Sequence, residues 1–190
     1  MTQGAQPRPH VIILNGVGSV GKSSTARALQ SIATKRFLYV AMDAFLEMLP
    51  PSMLDHPDGL QFQRGERDGK PAIAIEAGPV LSRTMRGMRH AVAAMAAQGN
   101  NLIVDEVMLD DAPAQEYRAL LKAFDLRMVG LFAPLDVLEA RERARGDREI
   151  GLARWQYDRV HRGMRYDLEL DTTAMPPQAC AERIRAQFGL

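Results

Sequence analysis

Residues 16 to 23 read Gly16-Val17-Gly18-Ser19-Val20-Gly21-Lys22-Ser23, the G-x-x-x-x-G-K-S spacing of a phosphate-binding loop. Its glycines let the backbone curl until successive N–H groups point inward at an anion. Lys22 can reach the β- and γ-phosphates of a nucleotide, the Ser23 hydroxyl can ligate Mg²⁺, and Ser24 follows in the same helical turn. The loop comes directly after the apolar run Val11-Ile12-Ile13-Leu14 and opens a helical stretch at Lys22, so a helix dipole faces the same phosphates. Spacing and strand-to-helix setting together predict a nucleoside triphosphate site on Gly16–Ser24, with ATP and Mg²⁺ as the expected cofactors.

Three further groups could act on such a nucleotide. Asp43 closes the apolar stretch Phe37-Leu-Tyr-Val-Ala-Met42. A carboxylate there could take the proton of a substrate hydroxyl and orient it for in-line attack; it could also simply cap the short helix that follows. Asp105 ends Asn-Leu-Ile-Val104 and is placed to support Mg²⁺ through water, while its neighbour Glu106 keeps open a hydrolase that activates water. The run Arg141-Glu-Arg-Ala-Arg145-Gly-Asp-Arg148 is dense in cations. Part of it reads as a solvated face balanced by Glu139 and Glu142. Arg145 and Arg148, flanking a Gly-Asp turn, fit a lid that neutralises charge on a transferring phosphoryl group. Thr172 and Thr173 are expected to border the adenine pocket. Cys180 and most of the methionines read as core, with Met42 and Met53 as candidates for lining an apolar acceptor pocket. The four histidines form no metal-ligand pattern.

These residues need a scaffold. Apolar runs alternate with helical periodicity along the chain, which predicts an α/β fold with a parallel sheet. The expected strands are 11–15, 37–42, 102–105, 127–132 and 168–171. The expected helices are 22–33, 43–48, 79–98, 112–124, 135–145, 153–163 and 177–188. In such sheets ligands gather at the carboxyl ends of the strands, where the phosphate loop, Asp43, Asp105 and Thr172 fall. Residues 1–10 read as a flexible tail and 11–190 as one domain. The stretch 51–77 breaks the rhythm with Leu60-Gln-Phe62 and Ala72-Ile-Ala-Ile75 around Arg64–Gly69, a hairpin insertion suited to a substrate-facing flap.

With 190 residues, 46% hydrophobic and 25% charged, and a net charge of +1, the chain suits one globular domain and offers no bulk charge for nucleic acid or a membrane surface. A single cysteine and the lack of a long apolar run suggest a cytoplasmic protein. The oligomeric state stays open.

Over almost the whole chain from Val11, the sequence resembles the chloramphenicol phosphotransferases and related small P-loop kinases. Ile12-Ile-Leu-Asn-Gly16 into Gly21-Lys-Ser23, Met42-Asp-Ala-Phe-Leu-Glu-Met-Leu-Pro50, Ala144-Arg-Gly-Asp-Arg148 and Tyr166-Asp-Leu-Glu-Leu-Asp-Thr-Thr173 carry the likeness. The resemblance implies a three-layer α/β/α fold with five parallel strands in the order 2-3-1-4-5. It also implies ATP-dependent phosphorylation of a hydroxyl on chloramphenicol or a similar compound, with Asp43 as the base. The acidic pair Asp105-Glu106 departs from the two aspartates expected at this point. Two other classes are a hydrolase using Glu106, which needs no acceptor, and a binding protein that turns ATP over negligibly. Within the kinase class, another hydroxylated metabolite is the alternative acceptor.

Overall fold

A computed structural model describes residues 8–67, 69–146 and 149–190. The order is β1 (His10–Asn15), α1 (Lys22–Ile32), β2 (Phe37–Ala41), α2 (Met42–Leu46), a 3₁₀ turn (Pro51–Met53), β3 (Leu60–Arg67), β4 (Lys70–Ala77) and α3 (Pro79–Ala97). There follow β5 (Asn101–Glu106), α4 (Ala112–Leu120), β6 (Asp125–Phe132), α5 (Leu135–Arg145), α6 (Leu152–Tyr157), β7 (Leu168–Asp171) and α7 (Pro177–Phe188).

Five strands form one parallel sheet, β2-β5-β1-β6-β7. Counting these strands alone gives the expected order 2-3-1-4-5. β1 lies at the centre, and its residues Val11–Leu14 are fully buried, because a strand covered on both faces must be apolar throughout. The period-2 alternation divides the core. Ile12, Leu14 and Ile103 pack with α1 and α7, whereas Val11, Ile13, Leu102 and Val104 pack with α3 and α4. Cys180 is buried in the first of these layers, so its thiol is a core group.

The hairpin β3–β4 stands outside the main sheet. Arg67 pairs with Lys70, so the strands extend into what the sequence suggested was a six-residue tip. A small third core of Leu49, Leu60 and Leu81, with Phe62, Ile75 and Met85 packed on it, ties the hairpin to the start of α3.

Several boundaries differ from the expectations. The first strand starts at His10, inside the stretch read as a tail: the Asp125 amide donates to the Pro9 carbonyl and the His10 amide to Asn101 Oδ1. Residues 1–7 lie outside the described residues. The helix expected over 153–163 is a shorter α6 followed by turns. Among the described residues no helix is long and apolar enough to cross a membrane.

Candidate active site

The phosphate loop leaves β1 and enters α1 at the carboxyl end of the sheet. Gly21 has φ +100° and Ser19 φ +64°, left-handed positions that turn successive amides to one side. The first turn of α1 adds N–H groups with no intrahelical acceptor. Ser19 Oγ is buried and has no hydrogen-bond partner among the described residues. A hydroxyl stranded in such a cradle is suited to a phosphate oxygen. Lys22, 7% exposed, folds back and donates from Nζ to the carbonyls of Gly16 at 2.9 Å and Val17 at 3.2 Å.

Gly18, Ser19, Gly21, Lys22, Ser23 and Ser24 line a cavity of about 410 Å³. Gly16, Val17 and Val20 do not: the two valine side chains are buried in the core behind the loop, and a Cβ on Gly16 would come within 2.7 Å of the Leu131 carbonyl. The opposite wall carries Met42, Asp43, Asp105, Val107, Arg141 and Arg145. The tertiary structure therefore brings together residues as far apart in sequence as Gly18 and Arg145.

Asp105 is the hub of this wall. Its Oδ2 accepts from Ser23 Oγ at 2.8 Å and from the Tyr39 hydroxyl at 2.9 Å, and Lys22 Nζ stands 3.8 Å from Oδ1. Burial raises the Tyr39 phenol to a pKa of about 12, so it stays a donor. Arg27 lies over the Tyr39 ring at 4.4 Å. A serine hydroxyl converging with one carboxylate is a hard-oxygen pair that suits Mg²⁺ completed by phosphate and water. Among the described residues there is no cluster of three His, Cys, Asp or Glu that could hold a metal without such help.

Glu106 faces the other way. The pleat that turns Asp105 to the phosphate side sends Glu106 into the α3–α4 layer, where it is 4% exposed and accepts from the Tyr117 hydroxyl at 2.9 Å. Burial pushes its carboxyl above the usual range. It does not line the phosphate cavity, so the water-activating role considered for it has no geometric support.

Asp43 sits in the first turn of α2. The N-cap is Ala41, and no side chain caps this helix, so the capping role is not what Asp43 does. Instead it lines the phosphate cavity and also a second cavity of about 500 Å³. Four residues are common to both: Met42, Asp43, Val107 and Arg145. The second cavity is mostly apolar, with Leu46, Leu60, Phe62, Ile75, Met85 and Trp155 in its wall, the hairpin supplying one side. Met53, expected here, belongs instead to the small hairpin core.

The arginine run behaves only partly as the sequence suggested. Glu139 and Glu142 are not on a solvated face: they are 7% and 2% exposed. Glu142 accepts from the amides of Gly151 and Ala153, each at 2.8 Å, and so fixes the start of α6. Glu139 forms a buried ion pair with Arg154 and meets Lys70 at 3.5 Å. The hairpin joins this assembly through Ile73, whose amide donates to the Gly151 carbonyl, and through Arg64–Glu149 and Arg67–Asp158, both at 2.7 Å. Gly151 has φ +101°, and a Cβ there would lie 2.5 Å from the Pro71 carbonyl. Arg148 lies outside the described residues.

Arg141 was not singled out by sequence, although its i, i+4 spacing from Arg145 puts the two on one helix face. It lines the phosphate cavity and donates to Thr172 Oγ1 at 3.1 Å and the Thr172 carbonyl at 2.7 Å. Thr172 and Thr173 do not line the phosphate cavity; Arg141 stands between them and it. Tyr39 and Gln156 were missed as well. No local motif marks either, since each matters only through a partner distant in sequence: Asp105 for Tyr39, and Gly18, whose amide donates to Gln156 Oε1 at 2.7 Å.

Comparison with known proteins shows the family and the fold. The model of a family described as chloramphenicol phosphotransferase-like protein matches residues 9–189. A protein of Mycobacterium tuberculosis (strain H37Rv) carrying the provisional name of an O-phosphotransferase is 30% identical over 187 residues, covering 96% of this chain and 83% of the relative. Among solved structures, the Mycobacterium tuberculosis APS kinase CysC in complex with AMPPNP and APS superposes with a TM-score of 0.66 at 16% identity, covering 97% of this chain and 100% of that one. The Deinococcus radiodurans tunicamycin resistance protein gives 0.65 at 23% identity, covering 96% and 97%. At these identities the two structures attest the fold.

Proposed function

The chain belongs to the chloramphenicol phosphotransferase-like family of P-loop phosphotransferases, and on that premise we propose that it moves the γ-phosphoryl group of ATP to a hydroxyl of a small, largely apolar acceptor, chloramphenicol or a compound like it. The observation that carries this reading is the pair of adjoining cavities that share Asp43 and Arg145. A phosphate-binding cavity opening onto an apolar one is the arrangement that a two-substrate transfer needs, with donor and acceptor held close enough for in-line attack.

In this reading the loop amides and Lys22 hold the triphosphate. Ser23 and, through water, Asp105 would hold Mg²⁺, which would neutralise charge on the phosphate oxygens. Asp43 accepts the proton of the acceptor hydroxyl as that oxygen bonds to the γ-phosphorus. The bond from phosphorus to the bridging oxygen breaks, and ADP leaves with the electron pair. Arg145 and Arg148 counter the charge on the transferring group, and Arg141 adds a third cation on the nucleotide side. The hairpin and α6 exclude water from the apolar cavity, which limits loss of ATP to hydrolysis.

The character of the cavity supports an acceptor without an anionic group. Among its described lining residues Arg145 is the one cation, against Asp43, Glu47 and Glu149. A carboxylate or phosphate in the acceptor would be desolvated there with no dedicated partner. Sugar acids and nucleotides are therefore disfavoured relative to a neutral alcohol.

The deciding experiment measures ADP release from Mg·ATP with and without chloramphenicol and a panel of neutral, cationic and anionic alcohols, with mass spectrometry of the products. Stimulation by a neutral compound together with a product heavier by one phosphoryl group is the expected result. Stimulation by anionic compounds alone overturns the acceptor class, and ADP release that no compound alters overturns the transferase.

A further inference from the structure

Gln156 stands at the seam between the two cavities. It lies on α6, is 4% exposed and lines the apolar cavity. Its Oε1 accepts the Gly18 amide at 2.7 Å, a bond made inside the phosphate loop itself. That bond sets which way the carboxamide faces, because the oxygen must meet the N–H. Its Nε2 donates to no protein group among the described residues and is not one of the sealed-off polar atoms left without a partner, so its N–H groups keep access to the cavity. The bond to Gly18 holds one end of the side chain, and the other end supplies two N–H groups at the wall of an otherwise apolar or charged cavity.

We propose that Gln156 is the residue that reads the acceptor and ties it to the nucleotide, by donating from Nε2 to an oxygen of the acceptor while Oε1 holds the phosphate loop. This rests on the reading of the apolar cavity as the acceptor site. It adds a requirement: the acceptor carries a hydrogen-bond-accepting oxygen (a hydroxyl, ether or carbonyl) near the hydroxyl that reacts. A carboxamide is suited to the task because it accepts and donates at once, whereas the carboxylates of the cavity only accept and Arg145 only donates. Gln156 also makes the two substrates interdependent. An acceptor that fixes the carboxamide fixes Gly18, and with it the part of the loop that faces the nucleotide phosphates.

The test compares wild type with Gln156→Glu and Gln156→Leu. Glutamate keeps an oxygen for the Gly18 amide and removes the donor; leucine removes both. The probes are chloramphenicol, its analogue lacking the secondary hydroxyl, its analogue lacking the amide carbonyl, and ADP, which leaves the γ-phosphate position empty so that the added charge of glutamate faces no phosphoryl group. We expect the chloramphenicol KM to rise about tenfold in both variants, while the ADP dissociation constant stays within about threefold in Gln156→Glu and weakens by about fivefold or more in Gln156→Leu. Deleting the oxygen that Gln156 reads should raise KM for wild type and leave it unchanged for Gln156→Glu, a cancellation that a merely structural role would not produce.

A chloramphenicol KM within twofold of wild type in Gln156→Glu overturns the proposal. So does an equal sensitivity of wild type and Gln156→Glu to both deletions. Failure of the underlying reading looks different, since wild type itself would then not respond to chloramphenicol. In that case the ADP measurement decides: unchanged affinity in Gln156→Leu overturns the loop contact, and weakening confined to that variant upholds it.

Discussion

The Tyr39 hydroxyl and the Ser23 hydroxyl donate to the same oxygen of Asp105, at 2.9 and 2.8 Å. Tyr39 thus sets the orientation of the carboxylate that faces the start of α1, and it does so from the neighbouring strand β2, which pairs Ala41 with Asp105. Second partners of this kind orient a metal-supporting group, and their loss typically weakens metal affinity by about 10–100-fold when the ligand is direct. For a carboxylate acting through water, Tyr39→Phe is expected to raise the Mg²⁺ concentration for half-maximal activity by a smaller factor, about threefold to tenfold. A Mg²⁺ titration of activity at saturating ATP checks this. An unchanged midpoint would show that Ser23 alone orients Asp105.

Asp43 and Lys22 should separate chemistry from binding. Asp43→Asn keeps the shape of the side chain and removes its basicity, so ATP affinity is expected to stay nearly intact while turnover falls about 10²-fold or more. Lys22→Ala removes the charge that the buried loop holds at the wall of the first cavity, so both nucleotide affinity and turnover should fall. Nucleotide titration together with steady-state kinetics distinguishes the two patterns. Wild-type turnover in Asp43→Asn would remove it from the mechanism.

Glu142 is expected to matter for stability well beyond an ordinary surface acid. Glu142→Ala strands the buried amides of Gly151 and Ala153. Each unsatisfied donor costs about 1–3 kcal/mol, so a loss of roughly 3 kcal/mol is expected, read from urea unfolding. Glu142→Gln, which retains one accepting oxygen, should lose about half of that. A loss below about 1 kcal/mol in Glu142→Ala would mean that water takes over both amides.

His161 should give the fold a pH dependence on the acid side. It stacks on Phe132 at 3.9 Å and meets the Tyr166 hydroxyl at 2.8 Å. Burial, followed by the Lys22 charge, lowers its pKa from 6.5 to about 4. Over that window the unfolded chain binds the proton and the folded chain does not. Stability therefore rises with pH across it, and is lost as pH falls from about 6.5 to about 4. Melting temperatures recorded through this range should fall more steeply for wild type than for His161→Asn. Parallel curves would show that the folded protein carries a protonated imidazole.

How much of this was legible from sequence depends on how local each signal is. The phosphate loop and the parallel sheet follow from spacing and periodicity within short windows, whereas the strand order came with the family resemblance. Asp43 and Asp105 stand out in the sequence for the same reason, since each follows an apolar run at the end of the sheet where ligands gather in such folds; Asp43 lies just past β2 in the first turn of α2, and Asp105 within β5. Alternation along β5 already implied that Asp105 and Glu106 face opposite layers. Which of them faces the phosphates was decided by packing, because α1 covers one face of the sheet and α3 with α4 the other.

Other features depended on tertiary structure alone. Glu139 and Glu142 carry the charge pattern of a solvated helix face, and burial against α6 turned one into a partner for Arg154 and the other into an acceptor for two amides. The short α6 lacks the length for a clear helical period, yet it delivers Gln156 to the phosphate loop. The chain itself determined that the loop of phosphate-binding spacing would join β1 to α1 and that Asp43 and Asp105 would lie near the carboxyl end of the sheet, because those groups sit within a few residues of the strands that place them. Where the two cavities meet, and which residues join them, arises from contacts between segments more than 100 residues apart, such as Gly18 with Gln156 at a separation of 138. No short-range pattern encodes such contacts; they exist only once the core has packed.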